Sequence, residues 1–218
     1  MIFKKAYLFL LFLPSLVQAQ EATSWLNKLS DSVRIENSVP GLACALITLD
    51  SIQYGISGTR SVDSDSLIEL KDPFHIGSNS KAITSYIAFR LIEEGKISLD
   101  SKLFDLVDDV KRRKWRYRKI TLGDLLSHTS RIRAYTANDE FELVPDWIKT
   151  LSVPGQRLAF TAHVVRQKPL KKGRNYSNAG YVLASLMLER ASGIPFEDLV
   201  SKYFGELSID YFYGFPAR

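Results

Sequence analysis

The chain has 218 residues, of which 45% are hydrophobic and 24% charged, and its formal net charge is +5. This length suffices for one domain, or two small ones, with a sizeable core, and a charge this mild identifies no partner. A single cysteine, Cys44, excludes an intrachain disulfide, and its place in an apolar run predicts a small buried core residue rather than a reactive thiol.

Residues 1–19 have the pattern of a secretory signal peptide. Lys4 and Lys5 precede a short apolar run, which ends in small residues at Ala19. We expect cleavage after Ala19; the alternative is an uncleaved membrane anchor, for which the run is short. Cleavage removes two lysines and no acidic residue, so the formal charge falls from +5 to +3. This pattern predicts a periplasmic or secreted protein without a stable membrane span.

The mature chain is predicted to begin with a helix and a β-hairpin. Apolar residues at helical spacing predict a helix over residues 24–36, which ends before Pro40-Gly41. Residues 42–49 have the composition of a buried strand, and a turn leads into a second strand over residues 52–57. The polar residues 61–73 are predicted to form a loop.

The rest of the chain is predicted to contain helices and loops without a strand. Residues 80–94 are apolar around most of the helical circumference, which predicts a buried helix. A capping box at Thr121 predicts a short helix. Further helices are expected over residues 178–190, ended by Gly193, and from Pro195 to Tyr203.

Ser78 and Lys81 form an S-x-x-K element. In a helix, residues three apart share a face, so the hydroxyl and the amine would lie together. A lysine can take the serine proton where burial or a nearby cation favours the neutral amine. An N-cap serine beside a solvated lysine would show the same bare pattern. The apolar helix around Lys81, and the backbone access that Gly77 allows, favour a serine nucleophile.

Tyr176-Ser177-Asn178 joins a basic loop to a predicted helix. A tyrosine can relay protons where a lysine favours its phenolate, and the Asn178 carboxamide offers a donor and an acceptor to a substrate amide. Taken locally, a core tyrosine followed by a helix cap is an equally good interpretation.

In this order, the two elements resemble the first two motifs of the serine β-lactamase and penicillin-binding protein family, which includes class C β-lactamases, D-alanyl-D-alanine peptidases and related esterases. The similarity extends to residues 93–100 and to Ile120-Thr121-Leu122-Gly123-Asp124-Leu125-Leu126-Ser127-His128-Thr129-Ser130, and it runs from about residue 40 to residue 216.

The resemblance implies an α+β fold of the β-lactamase/transpeptidase type, with a helical subdomain and a partial antiparallel sheet whose later strands are missing. It also implies that Ser78 is acylated, that Lys81 and Tyr176 transfer protons, and that Asn178 binds the substrate amide. The Ser78 N–H would form half of an oxyanion hole.

Three departures from the family pattern stand out. Arg131 replaces the glycine usual after His-Thr-Ser, which puts that turn in doubt, and Lys171-Lys172-Gly173 replaces a Pro-Gly pair. The chain also ends at Arg218, before any third motif of Lys-Thr-Gly or His-x-Gly type. We therefore expect residues 20–218 to form a hydrolase domain that is incomplete at its C-terminus.

Other residue patterns favour structural interpretations. Residues 111–119 hold seven basic side chains and are predicted to be a solvated loop rather than a site for an anionic polymer or membrane. His128 is expected to orient a loop, His75 to pack or hydrogen-bond locally, and His163 has no evident partner. No pattern indicates a metal site or a cofactor, and the lack of G-x-S-x-G excludes an α/β-hydrolase elbow.

The sequence thus predicts an exported serine hydrolase that acts through an acyl-enzyme on a β-lactam, a D-Ala-D-Ala-type peptide, or a small ester or amide. A non-catalytic binding or scaffold protein on the same fold is the alternative, and a chain that does not fold stably alone, because of an exposed sheet edge, is a third. We expect a small-molecule or peptide substrate, a monomer, and no nucleic-acid partner.

Overall fold

The computed structural model describes residues 13–214, with side chains from residue 24 onward except that of residue 138. The chain forms two compact units, which divide at residues 75/76 and 211/212: residues 76–211 are one unit, and the flanking segments are the other. Of the expected signal peptide, residues 1–12 lie outside the described part. Among the helices of residues 13–214, none has both the length and the apolar character needed to cross a membrane.

The first unit contains the predicted helix and hairpin. Helix α1 spans Leu13–Glu36 and so begins before residue 24, and strands β1 (Gly41–Ile47) and β2 (Ile52–Gly58) follow it. The strands pair antiparallel, from Gly41 opposite Gly58 to Ile47 opposite Ile52. Helix α1 packs closely on β2, because a Cβ added at Gly55 would lie 2.6 Å from the Leu26 backbone carbonyl.

The prediction that the first strand is buried is wrong. Leu46 is 45% and Ile47 71% exposed. Apolar runs of this length are typical of strands covered on both faces, whereas in the described residues this hairpin is a two-stranded sheet. Cys44 is correspondingly half-buried rather than a core residue, and its Sγ lies 3.1 Å from the Ser30 hydroxyl.

The second unit consists of helices, 3₁₀ turns and loops. The helices predicted over residues 80–94 and 178–190 and after Pro195 are confirmed within a few residues. Between residues 80 and 214, the structure describes only an isolated bridge between Lys102 and Thr121 and no strand, as predicted. The helices are α2 (Ser80–Glu93), α3 (Leu103–Leu106), α4 (Leu122–Leu126), α5 (Asn138–Glu142), α6 (Val153–Val164), α7 (Asn178–Ser192) and α8 (Phe196–Glu206), and the 3₁₀ turns are Gly77–Asn79, Trp115–Tyr117 and Asp146–Thr150.

Helix α7 occupies the centre of this unit, and α2, α3, α4, α6 and α8 pack on it. Its Leu183 and Met187 are fully buried, one turn apart, in a core shared with α2, α4 and α8. Burial of this kind stabilises the fold by about 1.5–3 kcal/mol per large apolar side chain. The core packing therefore fixes the starts of α2 and α7 relative to each other.

The prediction that α2 is a buried helix holds for one of its faces only. Ile87, Ala88 and Leu91 are fully buried, whereas Phe89 is 52% exposed. Residues three and four apart share one helix face, and only that face of α2 meets the core. The helix is thus anchored along one stripe.

Local sequence signals mark the helix ends as predicted. The Thr121 hydroxyl accepts from the Asp124 N–H at 3.2 Å, and the Asp124 carboxylate accepts from the Thr121 N–H at 3.1 Å, which completes the capping box of α4. Gly193 ends α7 with a φ of 73°, in the left-handed region that favours glycine. These signals are local, which explains why they were visible in the sequence.

A buried ion cluster joins the last three helices. The Arg157 guanidinium of α6 donates to the carboxylates of Glu189 on α7 and Glu197 on α8. The Arg157 side chain is 8% exposed and that of Glu189 is 12% exposed. Burial raises the pKa of Glu189, although the Arg157 guanidinium opposes that shift. The single Arg157 guanidinium thus forms ion pairs with both carboxylates.

The basic residues 111–119 form a solvated loop, as predicted, with every residue exposed except Tyr117.

His163 does have a partner, contrary to the sequence interpretation: its Nε2 lies 2.7 Å from the Gln167 side-chain nitrogen. The two residues are one helical turn apart, near the end of α6, so this pairing is local in the sequence.

We call residues 130–136 the strap, because its backbone lies against the start of α7. Arg131 adopts a φ of 66° and Tyr135 a φ of 50°, both in the left-handed region. The Arg131 Nε donates to the Leu170 carbonyl at 2.8 Å, and the Leu170 N–H donates to the Arg131 carbonyl at 2.9 Å. The turn that was in doubt, because Arg131 replaces the usual glycine, therefore forms. Arg131 adopts the left-handed backbone conformation that glycine usually supplies.

Replacing Arg131 separates backbone strain from its side-chain hydrogen bond. Both Arg131→Gly and Arg131→Ala lose the bond to Leu170, which costs about 1 kcal/mol. Glycine also removes a left-handed strain of about 1 kcal/mol, whereas alanine keeps it. In urea denaturation we expect Arg131→Gly to stay near the wild-type stability and Arg131→Ala to lose about 1 kcal/mol. A glycine variant less stable than the alanine variant would contradict this account.

Glu94, just after α2, accepts hydrogen bonds from two other parts of the unit. Its carboxylate pairs with Lys96 at 2.8 Å and Lys202 at 3.2 Å and accepts from the Tyr203 hydroxyl at 2.8 Å. Lys96, then Tyr203 and Lys202, lower the pKa of Glu94 to about 2. Burial first, and the Glu94 hydrogen bond second, raise the pKa of Tyr203 to about 12.

A lowered Glu94 pKa makes its contribution to stability depend on pH. The contribution is complete above the ordinary pKa of 4.5 and is lost as the pH falls through about 2. In denaturation at several pH values, the stability difference between wild type and Glu94→Gln should therefore be largest at neutral pH and shrink towards pH 2. Glu142→Gln, at an exposed position, serves as the control. A difference independent of pH would refute the assignment.

Candidate active site

Ser78 lies in the 3₁₀ turn that leads into α2. Gly77 begins this turn with a φ of 51°, and the Ser80 hydroxyl donates to the Gly77 carbonyl at 2.8 Å. Ser78 is exposed, and Lys81 lies in the first turn of α2. The serine thus precedes the α-helix proper, one turn before the lysine, as the S-x-x-K spacing requires.

The Ser78 hydroxyl is the meeting point of two polar side chains. The Lys81 Nζ donates to the Ser78 Oγ at 3.2 Å, and the Tyr176 hydroxyl donates to the same atom at 2.7 Å. Tyr176 is distant in sequence and comes from the residues just before α7. The structure therefore brings together the three groups that the sequence analysis singled out for nucleophilic attack and proton transfer.

Asn178, the first residue of α7, lies in the same cluster. Its Oδ1 accepts from the Lys81 Nζ at 2.7 Å, and its Nδ2 donates to the Tyr135 carbonyl of the strap at 2.9 Å. Its backbone N–H donates to the Ala134 carbonyl at 2.8 Å. These contacts fix the orientation of the carboxamide. A primary amide carries two N–H donors, so the second can still reach a bound carbonyl.

The charge of Lys81 acts on Tyr176. The Lys81 Nζ lies 4.8 Å from the centroid of the Tyr176 ring. The interaction with Lys81, followed by the hydrogen bond with Ser78, lowers the pKa of Tyr176 below its ordinary value of 10.0. A cation close to a phenol stabilises the phenolate, which is the form that accepts a proton. Tyr176 is 46% exposed, so a substrate has access to it.

The serine between the two motif residues ties the site to the strap and to α4. The Ser177 hydroxyl donates to the Arg133 carbonyl at 2.7 Å and accepts from the Gly180 N–H at 2.9 Å, which caps α7. The Ser177 N–H donates to the His128 Nδ1 at 3.1 Å. Ser177 is 1% exposed, so these contacts are shielded from water.

The sequence indicated only that His128 orients a loop, whereas the structure also places it against Tyr176. It follows α4, is 8% exposed, and its ring centroid lies 4.6 Å from that of Tyr176 and 5.2 Å from that of Tyr181. Burial first, then the nearby Lys81 and Arg174, lower the pKa of His128. The signature around His128 was visible in the sequence, but its contact with Tyr176 is tertiary and has no local signal.

The loop before Tyr176 forms without the usual Pro-Gly pair. The Asn175 side chain donates to the carbonyls of Lys171 at 3.3 Å and Gly173 at 3.1 Å, and Gly173 has a φ of 149°. The Asn175 N–H donates to the His128 carbonyl at 2.8 Å.

Among the described residues, no three His, Cys, Asp or Glu side chains are grouped so that they could hold a metal ion.

The chain is similar in sequence to known proteins. It matches the Beta-lactamase family model over residues 16–207. It is 30% identical over 136 residues to a probable fimbrial assembly protein FimD, serogroup H1, from Dichelobacter nodosus, an alignment that covers 60% of this chain and 32% of that protein. The chain thus spans about a third of the length of that curated relative.

Two solved structures show the same fold. A D-stereospecific amidohydrolase from a Streptomyces species superposes with a TM-score of 0.65 at 26% identity, over 84% of this chain and 54% of the other. A class C β-lactamase superposes with a TM-score of 0.73 at 18% identity, over 92% of this chain and 53% of the other. The resemblance stated from the sequence and the fold class that it implied are confirmed, and this chain belongs to the Beta-lactamase family.

Proposed function

We propose that the chain is a serine hydrolase that forms an acyl-enzyme at Ser78, with Lys81 and Tyr176 as its proton-transfer pair: Tyr176 accepts and returns the proton, and the Lys81 cation stabilises the Tyr176 phenolate. The observation that carries this proposal is the convergence of the Tyr176 hydroxyl, at 2.7 Å, and the Lys81 Nζ, at 3.2 Å, on one exposed serine oxygen. Its relatives support hydrolase chemistry, since they include a β-lactamase and an amidohydrolase.

The charge of Lys81 and the hydrogen bonds to the Ser78 hydroxyl account for acylation. With Lys81 as a cation, Tyr176 as phenolate takes the Ser78 proton while the Ser78 Oγ bonds to the substrate carbonyl carbon. The carbonyl oxygen gains negative charge and accepts from the Ser78 N–H. Tyr176 then gives its proton to the departing nitrogen or oxygen as the carbon–leaving-group bond breaks. Water later gives a proton to the same phenolate as its oxygen bonds to the acyl carbon, and Tyr176 returns that proton to the Ser78 Oγ as the Ser78 ester bond breaks.

Asn178 is proposed to position the substrate. Its Nδ2 keeps one N–H on the Tyr135 carbonyl and directs the second towards the substrate amide carbonyl. A carbonyl acceptor of this kind is common to D-Ala-D-Ala-type peptides, β-lactams with an amide side chain, and small amides and esters. This shared chemistry defines the proposed substrate class.

Labelling with a fluorophosphonate or a fluorescent penicillin tests the nucleophile. Wild-type residues 20–218 should acquire one label on Ser78, and Ser78→Ala should acquire none. Tyr176→Phe should label more slowly by a factor of about 10²–10⁴, because it keeps the ring but cannot accept the proton. Ser80→Ala, an exposed hydroxyl in the same segment, should still be labelled.

Two outcomes would overturn the nucleophile assignment: equal labelling of Ser78→Ala, or no labelling of the wild type. A chain that binds penicillin reversibly without being labelled would instead be a binding or scaffold protein on this fold. The similarity to a probable fimbrial assembly protein is compatible with that alternative.

We also propose that residues 1–19 direct export, so that the hydrolase acts in the periplasm or outside the cell. Lys4 and Lys5, the apolar run and the small Ala19 support this proposal. On expression with its own N-terminus in a bacterial host, the exported protein should begin at Gln20 by mass spectrometry. Ala19→Arg should block this cleavage. A cell-associated product that retains Met1 would argue against export.

A further inference from the structure

His128 holds the backbone between the two functional side chains of the second motif. Its Nδ1 accepts the N–H of Ser177, which lies between Tyr176 and Asn178 in the chain, at 3.1 Å. Its ring packs against the Tyr176 ring, with centroids 4.6 Å apart and planes tilted by 35°. One side chain therefore contacts both the backbone that presents Tyr176 and the face of its phenol.

This hydrogen bond defines the protonation state of His128. A ring nitrogen that accepts a hydrogen bond carries no proton, so the neutral ring must carry its proton on Nε2. A doubly protonated ring would place a second N–H against the Ser177 N–H, and the two donors would repel each other. The contact is 8% exposed at His128 and 1% at Ser177, so water cannot easily replace the lost bond.

The charged groups that shift the pKa of His128 are cations. Helix α2 contributes Lys81, and the loop before α7 contributes Arg174; both, after burial, lower the pKa of His128. Tyr176 and Tyr181 supply the aromatic rings that pack against it. The Asp124 carboxylate, on α4, is bound by the Thr121 N–H and the Thr129 hydroxyl and is not among the groups that shift the pKa of His128. Positive neighbours thus favour the neutral ring.

We propose that His128 is a positioning residue that holds Tyr176 against Ser78 only while its ring is neutral. This inference rests on the proposed function, because it concerns the proton acceptor of that site. Protonation of His128 breaks its bond to Ser177 and releases the backbone that presents Tyr176. Small displacements of a proton acceptor can lower a rate by as much as 10²-fold, so acylation becomes sensitive to acid through a residue that never touches the substrate.

Two substitutions of His128 separate its roles. His128 has a φ of 63°, a conformation that asparagine tolerates well. His128→Asn keeps an oxygen acceptor for the Ser177 N–H but cannot gain a proton, whereas His128→Ala has no acceptor. His75→Asn and His163→Asn are matched controls that remove the other two histidines of the chain.

The readout is the fluorophosphonate labelling rate of Ser78 between about pH 4.5 and 8, the range over which histidines titrate. We expect the wild-type rate to fall in acid through two ionisations, that of the Tyr176 phenolate and that of His128, and we call the His128 step the acid limb. His128→Asn should lose that acid limb and keep the Tyr176 step, and the two control variants should keep both. His128→Ala should label about 10- to 100-fold more slowly at neutral pH. An unchanged acid limb in His128→Asn, or wild-type labelling by His128→Ala, would overturn the proposal.

A measurement independent of activity separates this inference from the proposed function. Nitrogen-15 NMR of the imidazole rings at neutral pH should show His128 protonated on Nε2 alone, and an acid titration should shift the Ser177 amide together with the His128 ring. A proton on Nδ1 would overturn the positioning role even if Ser78 is labelled. If Ser78 is not labelled, the acyl-enzyme fails, while the NMR result still decides the hydrogen bond.

Discussion

The hydrogen bond from the Lys81 Nζ to the Asn178 Oδ1, at 2.7 Å, is the contact on which the site depends. It joins the first turn of α2 to the first residue of α7, far apart in the chain. The same ammonium reaches Ser78 and lies beside Tyr176. Because α2 and α7 share a close-packed core, their starts are held in place, and a single cation can contact a serine hydroxyl, a tyrosine ring and an amide at once.

Support for this arrangement comes from backbone rather than from further charges. The strap supplies carbonyl acceptors at Arg133, Ala134 and Tyr135 to the residues that begin α7. Its two left-handed residues turn the chain so that these carbonyls face α7, at a conformational cost that the surrounding packing compensates. The side chains that would perform chemistry are therefore presented by elements whose own hydrogen bonds are satisfied.

Most of the fold, and the four candidate residues that the structure brings together, could be predicted from the sequence, because each has a local signal or belongs to a sequence motif. The capping box at Thr121, the end of α7 at Gly193 and the spacing of Ser78 and Lys81 all lie within one turn of chain. The burial of the first strand was predicted wrongly, and that of α2 holds for one face only, since burial depends on what covers each face. The contact of His128 with Ser177 joins residues 49 positions apart, so no spacing could indicate it.

The cluster of Arg157 with Glu189 and Glu197 has a consequence for cooperativity. Arg157 on α6 lies 32 and 40 positions from its partners on α7 and α8, so neither ion pair can form within one helix. A half-assembled bundle would bury a guanidinium or a carboxylate without its partner, and an unpaired buried charge costs several kcal/mol. Partial structures are thereby disfavoured relative to both the unfolded chain and the complete one. The three helices accordingly gain stability as a single unit, and the start of α7, which carries the site, is ordered together with the rest of that unit.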